Sequence, residues 1–154
     1  VPAVPVPRSG VDAMLKLIPA LLTPDLLHSL ALMGHGDRLA VVDSNYPAHS
    51  RHQRVHELFG ADTATATRAI MQLLPLDDFV EPAAHRMVPD GDPAFRSPSH
   101  DAFEAELSRV EGRAMTAAPI ERSAFYEAAR EAFAVVHTLD AVPYSCFLIT
   151  KGVI

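Results

Sequence analysis

Residues 33–50 read Met33-Gly34-His35-Gly36-Asp37-Arg38-Leu39-Ala40-Val41-Val42-Asp43-Ser44-Asn45-Tyr46-Pro47-Ala48-His49-Ser50. An apolar run ends at a glycine, a histidine stands between two residues without side chains, and a short β-branched strand delivers an aspartate ahead of a proline turn. Gly34 can end a helix with positive φ, and Gly36 admits another backbone or a ligand, so His35 projects from an uncrowded loop. Asp43 falls where the strand gives out. Each of the two also has a plain reading, because a histidine in a turn is commonly solvated and an aspartate at a strand end commonly shapes the turn.

Upstream, Thr23-Pro24-Asp25 predicts a helix start, with an N-cap, a proline in the first turn and an acid at the positive end of the helix dipole. That helix runs to about Met33. Leu26, Leu27, Leu30, Ala31 and Met33 leave it little polar surface, so it packs against a sheet or a second subunit. Residues 1–13, with proline at positions 2, 5 and 7, form an extended arm, either native or a cloning remnant, ahead of a domain over 14–154.

Downstream, His49, His52 and His56 would share one face if the segment were helical, and three imidazoles suit zinc or nickel. No carboxylate keeps step with them, and Arg51 and Arg54 lie between them, so His52 and His56 read as surface loop residues and no metal is expected. Ala61-Asp62-Thr63 opens a helix that Pro75 closes; a strand follows over 84–88. Pro98-Ser99 begins another helix, with Phe103, Leu107 and Val110 inward and Glu104, Glu106 and Arg109 toward water, a solvated outer element without chemistry. The last helix starts near Ile120 and buries Phe125, Ala129 and Phe133. It carries Arg122 where the dipole disfavours a cation by about 0.3–1 kcal/mol.

Strands over 134–138 and 146–150 finish the chain. Helices alternating with short β-branched runs predict an α/β fold, a single layered domain whose mainly parallel or mixed sheet is flanked by helices. Ligands of such sheets gather beyond the carboxyl ends of the strands, where Asp43 falls. Tyr144 precedes its strand, so it joins Asp43 only if that strand runs antiparallel or if the tyrosine comes from a neighbouring subunit.

The 154 residues, 49% of them hydrophobic, suffice for one core. A formal charge of −6 without a block of Lys or Arg argues against nucleic-acid or anionic-membrane partners. The single cysteine, Cys146, permits no internal disulfide and suits a reducing, cytoplasmic compartment; its flanks mark a buried strand residue, not a nucleophile. No apolar run approaches the roughly 20 residues that span a bilayer.

The stretch MLKLIPALLTPDLLHSLALMGHGDRLAVVDSNYPAHS resembles the amino-terminal signature of the fucose mutarotase and ribose pyranase family, closest to its fucose mutarotase branch. ERSAFYEAAREAFAVV and PYSCFLITKGV resemble the family's carboxy-terminal half, in order and at similar spacing, so the likeness covers 14–154. It implies a cofactor-free isomerase that interconverts cyclic forms of a monosaccharide. It also implies a homo-oligomer, a decamer or other ring, with sites at subunit contacts.

Under that resemblance His35 gives and takes the proton, since an imidazole with a reference pKa near 6.5 exists in both states near neutrality. Asp43 accepts a hydrogen bond from a sugar hydroxyl or orients the acid and base, while Arg122 and Tyr144 grip the remaining hydroxyls. Cys146 stands at a substrate-binding position where better-known members carry asparagine, which weakens or removes one side-chain hydrogen bond to the sugar. That departure keeps a second class open, a monosaccharide-binding or transport-accessory protein without turnover.

Overall fold

A computed structural model describes residues 15–154; the arm expected over 1–13 lies outside them. The strand read at the centre of the sequence is also near the centre of the sheet. Leu39, Ala40, Val41 and Val42 of β1 (Arg38–Val42) have no exposed surface, which is what a strand covered on both faces requires. β5 (Ala134–Thr138) pairs with it in parallel, Leu39 opposite Ala134. β6 (Phe147–Thr150) pairs antiparallel on the other side, Arg38 opposite Thr150. Outward from these, β2 (Val55–Leu58) runs parallel to β5, β3 (Ala84–Val88) antiparallel to β6, and β4 (Ala118–Glu121) parallel to β3. The order is β2-β5-β1-β6-β3-β4, a mixed sheet in which β6 alone is reversed.

Because side chains alternate along a strand, the sheet has two cores. Leu39, Val41, Val136, Phe147 and Ile149 face α1 (Pro24–Leu32), α3 (Thr63–Met71) and α4 (Pro98–Glu111), where Phe103 stacks on Phe147 with ring centroids 4.0 Å apart. Ala40, Val42, Val135 and Leu148 face the short α2 (Ala48–Arg51) and α5 (Arg122–Ala129), through Tyr46, Ala48, Phe125 and Ala129. The caps expected at Thr23 and before Thr63 are present: Thr23 accepts from the Leu26 N–H, and Asp62 from that of Thr65. For α4 the cap is Ser97, one residue before the proline, accepting from His100. At α5 the missing cap is supplied from a distance, Asp90 accepting from both the N–H and the hydroxyl of Ser123 at 3.0 and 2.6 Å.

Four expectations are corrected. His56, read as a surface loop residue, lies on β2 and is buried, 2.7 Å from the Ser29 hydroxyl, while α2 ends at Arg51. α4 is no solvated outer helix, because Ser99, His100 and Glu106 are buried, and Glu106 pairs with Arg68 and Arg109. The left-handed glycine of the GHGD loop is Gly36, φ 86°, whereas α1 ends through Met33 in an extended conformation. Strands β2 and β4 went unread. No helix among the described residues is long and apolar enough to cross a membrane.

Candidate active site

The GHGD loop is shaped by its own aspartate: Asp37 accepts from the Gly34 N–H at 2.7 Å. Beyond β1, the Gly36 N–H donates to the Lys151 carbonyl and the Lys151 N–H to that of Asp37, so GHGD and the terminal TKGV continue the β1–β6 pairing. His35 stands on this loop with 43% of its side chain exposed, its Nε2 3.1 Å from Oδ1 of Asp77, which is 1% exposed. A carboxylate only accepts, so Nε2 carries the hydrogen and Nδ1 is left to exchange protons with a ligand. Burial alone would raise the Asp77 carboxyl; the hydrogen bonds from the Phe79 N–H and from His35 outweigh it and hold the group below its ordinary range. Phe79 also sets its ring 5.0 Å from the imidazole.

Asp77 is the residue of this candidate site that the sequence reading missed. Its position depends on Gly152: a Cβ there would lie 2.6 Å from the Leu76 carbonyl oxygen and 2.8 Å from the Asp77 Cα. The Asp77 N–H donates to Thr150 and the Gly152 N–H to Pro75. The TKGV glycine therefore lets residues 75–77 lie flat against the chain end and carry a carboxylate to His35.

The other predicted residues gather at the opposite edge of the sheet. Asp43 follows β1, and because β6 is antiparallel, Tyr144 and Cys146 reach the same edge within one copy, the first of the two routes considered above. Asp43 is 4% exposed, its Oδ1 accepting from the Asn45 and Tyr46 N–H groups; burial raises its carboxyl, against hydrogen bonds from Asn45, Tyr46, Cys146 and Ser145. Cys146 is wholly buried, its thiol pushed well up by burial and turned toward Asp43, so in this protomer it presents no surface to a sugar. Tyr144 is half-buried in a left-handed conformation, φ 63°, that only a well-determined loop imposes on a tyrosine. Arg122 is exposed over the Tyr126 ring and donates to its hydroxyl; Tyr126 meets Tyr46 edge-on at 5.3 Å, and Tyr46 reaches Asp43.

The Tyr144 loop is held by the start of α4. Ser97, Ser99 and Ser145 form a chain of hydroxyls ending on the Val142 carbonyl, and His100 donates from Nε2 to the Tyr144 carbonyl at 2.9 Å. His100 has no exposed surface, and its Nδ1 has no partner among the described residues. Burial is the largest cause lowering its proton affinity, with Arg86 and Arg96 adding to it. Below pH about 6.5 the unfolded chain binds this proton and the native state does not, so stability is full above that pH and falls as the pH drops. His52, His56 and His85 act in the same direction, also through burial. The unfolding free energy is therefore expected to fall between pH 7 and pH 5, by about 1.4 kcal/mol for each tenfold difference in proton affinity, and the melting temperature to fall with it. His100→Gln, which keeps a donor, is expected to flatten part of that dependence; a melting curve with the wild-type pH response would remove His100 from it.

One copy does not bring the two groups together. His35 precedes β1 and Asp43 follows it, and the six residue steps along the extended strand from Asp37 to Asp43 span roughly 20 Å. Each edge carries half of the expected constellation.

The fold and the sequence place the chain in a known protein family. The chain belongs to the RbsD / FucU transport protein family, whose model matches residues 16–154. It is 42% identical to the human protein named fucose mutarotase, the match covering 91% of this chain and 94% of that one. Among solved structures it is similar to FucU from Bifidobacterium longum, with 32% identity, TM-score 0.84 and coverage of 90% and 99% of the two chains. It also resembles the fucose mutarotase of Streptococcus pneumoniae in complex with L-fucose, with 30% identity, TM-score 0.82 and coverage of 91% and 99%.

Proposed function

We propose that this protein is an isomerase that exchanges the anomers of L-fucose, or of a closely similar aldose, by acid–base catalysis through the open chain and without a cofactor. The observation that carries the reading is the His35–Asp77 pair, a half-exposed imidazole whose tautomer is fixed by a buried carboxylate. Nδ1 takes the proton of the anomeric hydroxyl, the bond from the anomeric carbon to the ring oxygen breaks, and the imidazolium returns the proton to that oxygen. Asp77 stabilises the cation meanwhile. The aldehyde rotates and recloses on its other face. Reclosure through a different hydroxyl gives pyranose–furanose exchange by the same chemistry.

The sugar's other contacts come, in this reading, from the opposite edge of a neighbouring copy. Arg122 at the start of α5 and Tyr144 on the loop before β6 grip hydroxyls, Asp43 holds the Asn45–Tyr46 turn beside them, and Cys146 acts through Asp43. Two different surfaces at opposite ends of a subunit meet head to tail, and such contacts close into rings when the rotation permits. Exposed apolar side chains flank both edges, Phe79 and Val80 beside His35, and Leu139 and Val142 beyond the parallel strand ends. A cytoplasmic setting belongs to the same reading, supported by the single buried thiol.

Saturation-transfer NMR on a panel of monosaccharides is the test, with faster exchange between fucose anomers expected; binding without faster exchange would leave a non-catalytic sugar-binding protein. Shared sites have their own signature. His35→Ala and Arg122→Ala chains, each inactive alone, are expected on unfolding and refolding together to regain about a quarter of wild-type activity, since half the copies supply each intact edge. No recovery would place both residues in one copy's site.

A further inference from the structure

Outside the sugar site, three donors from three elements converge at the β2 edge of the sheet. His49 lies on α2, Glu57 on β2 and His137 on β5, where Glu57 and His137 are register partners. Each offers a ligand atom within 4.8 Å of those of the other two. His49 Nε2 is 2.5 Å from Glu57 Oε1, and the His49 and His137 rings sit edge to face at 6.0 Å. His137 spends little of its hydrogen-bonding capacity: Nε2 reaches only the Ser44 carbonyl, at 3.4 Å, and Nδ1 has no partner among the described residues.

Two features of the sequence argued against a metal here, and the fold removes both. The missing carboxylate comes from Glu57 on the neighbouring strand. The two arginines are turned away, Arg51 over the Tyr126 ring and Arg54 over the Phe133 ring with a hydrogen bond to the Phe133 carbonyl. A tetrahedral ion with bonds of about 2.0–2.1 Å needs its donors roughly 3.4 Å apart. The side chains of His49 and Glu57, 62% and 42% exposed, have the freedom to reach that spacing, while Phe59 backs the His137 ring at 5.7 Å.

We propose that His49, Glu57 and His137 bind one divalent transition-metal ion of the zinc class. Two imidazoles and a carboxylate match the donor set of three-ligand zinc sites, with a fourth position open to water. The ion clamps the edge strand to α2 and to β5, one residue from the turn that holds Asp43. Nothing in this assignment depends on the sugar reaction.

Titration of the full chain with Co2+, followed by its visible absorption and by displacement with Zn2+, is expected to give one ion per chain. Zn2+ is expected to raise the melting temperature, since it binds the folded state preferentially. His49→Ala and Glu57→Gln, both at exposed side chains and therefore expected to fold, should each weaken binding ~10-fold or more and abolish the thermal shift, whereas His28→Ala leaves both unchanged. No saturable binding by the wild type, or binding that survives both variants, would overturn the assignment.

Discussion

In His35→Ala, acceleration of fucose anomer exchange is expected to fall to the rate in water, while melting temperature and sugar binding change little. Close to half of the imidazole is exposed, and without it Asp77 keeps the Phe79 N–H as a donor while water takes the place of the ring, so its removal costs the fold little. A positioned acid–base group is commonly worth about 10²- to 10⁴-fold in rate, which for a reaction that already runs unaided is the greater part of the enzyme's advantage. Asp77→Asn separates orientation from charge. The amide accepts from His35 through its oxygen but cannot balance the imidazolium, so exchange is expected to slow without vanishing. Saturation transfer between the anomer signals measures both variants, and a His35→Ala protein as fast as wild type would remove the imidazole from the chemistry.

Gly152→Ala is expected to damage the fold more than His35→Ala does, although it adds a single carbon. That carbon would meet backbone, not a flexible side chain, 2.6 Å from the Leu76 carbonyl oxygen, so residues 75–77 must move by several tenths of an ångström. Overpacking of this kind costs about 1–3 kcal/mol. It also carries Asp77 away from His35, and a displacement near 1 Å at a catalytic group can cost ~10²-fold. A lower melting temperature together with slower exchange is expected, with binding at the Tyr144 edge preserved. An alanine variant that melts and turns over like wild type would mean that residues 75–77 do not position the dyad.

Where the chain's local signals were strong, the sequence reading and the fold agree. The β-branched run at 38–42, the Thr23 and Asp62 caps and the strands near 134 and 147 each follow from a few neighbouring residues. β2 escaped because Val55-His56-Glu57-Leu58 sits among arginines and histidines and has a single β-branched residue; β4 escaped because Pro119 argues against a strand, and the sheet admits it at an edge. Asp77 escaped for a different reason. Its partner is 42 positions away, and Leu-Pro-Leu-Asp-Asp looks like an ordinary turn until Gly152 is seen beneath it. His100 had the same defect: helical spacing placed Phe103 and Leu107 inward, but no pattern said that a histidine would hold the tyrosine loop.

The reversed strand β6 has a consequence for the assembly. Under the proposed head-to-tail sharing of sites, its leading end carries the Tyr144 loop of one sugar site, and its trailing end leads to the glycine that sets the His35–Asp77 pair of another. In the proposed assembly the four-residue strand spans from one reaction chamber to the next, and a one-residue slip of it would spoil two chambers served by different neighbours.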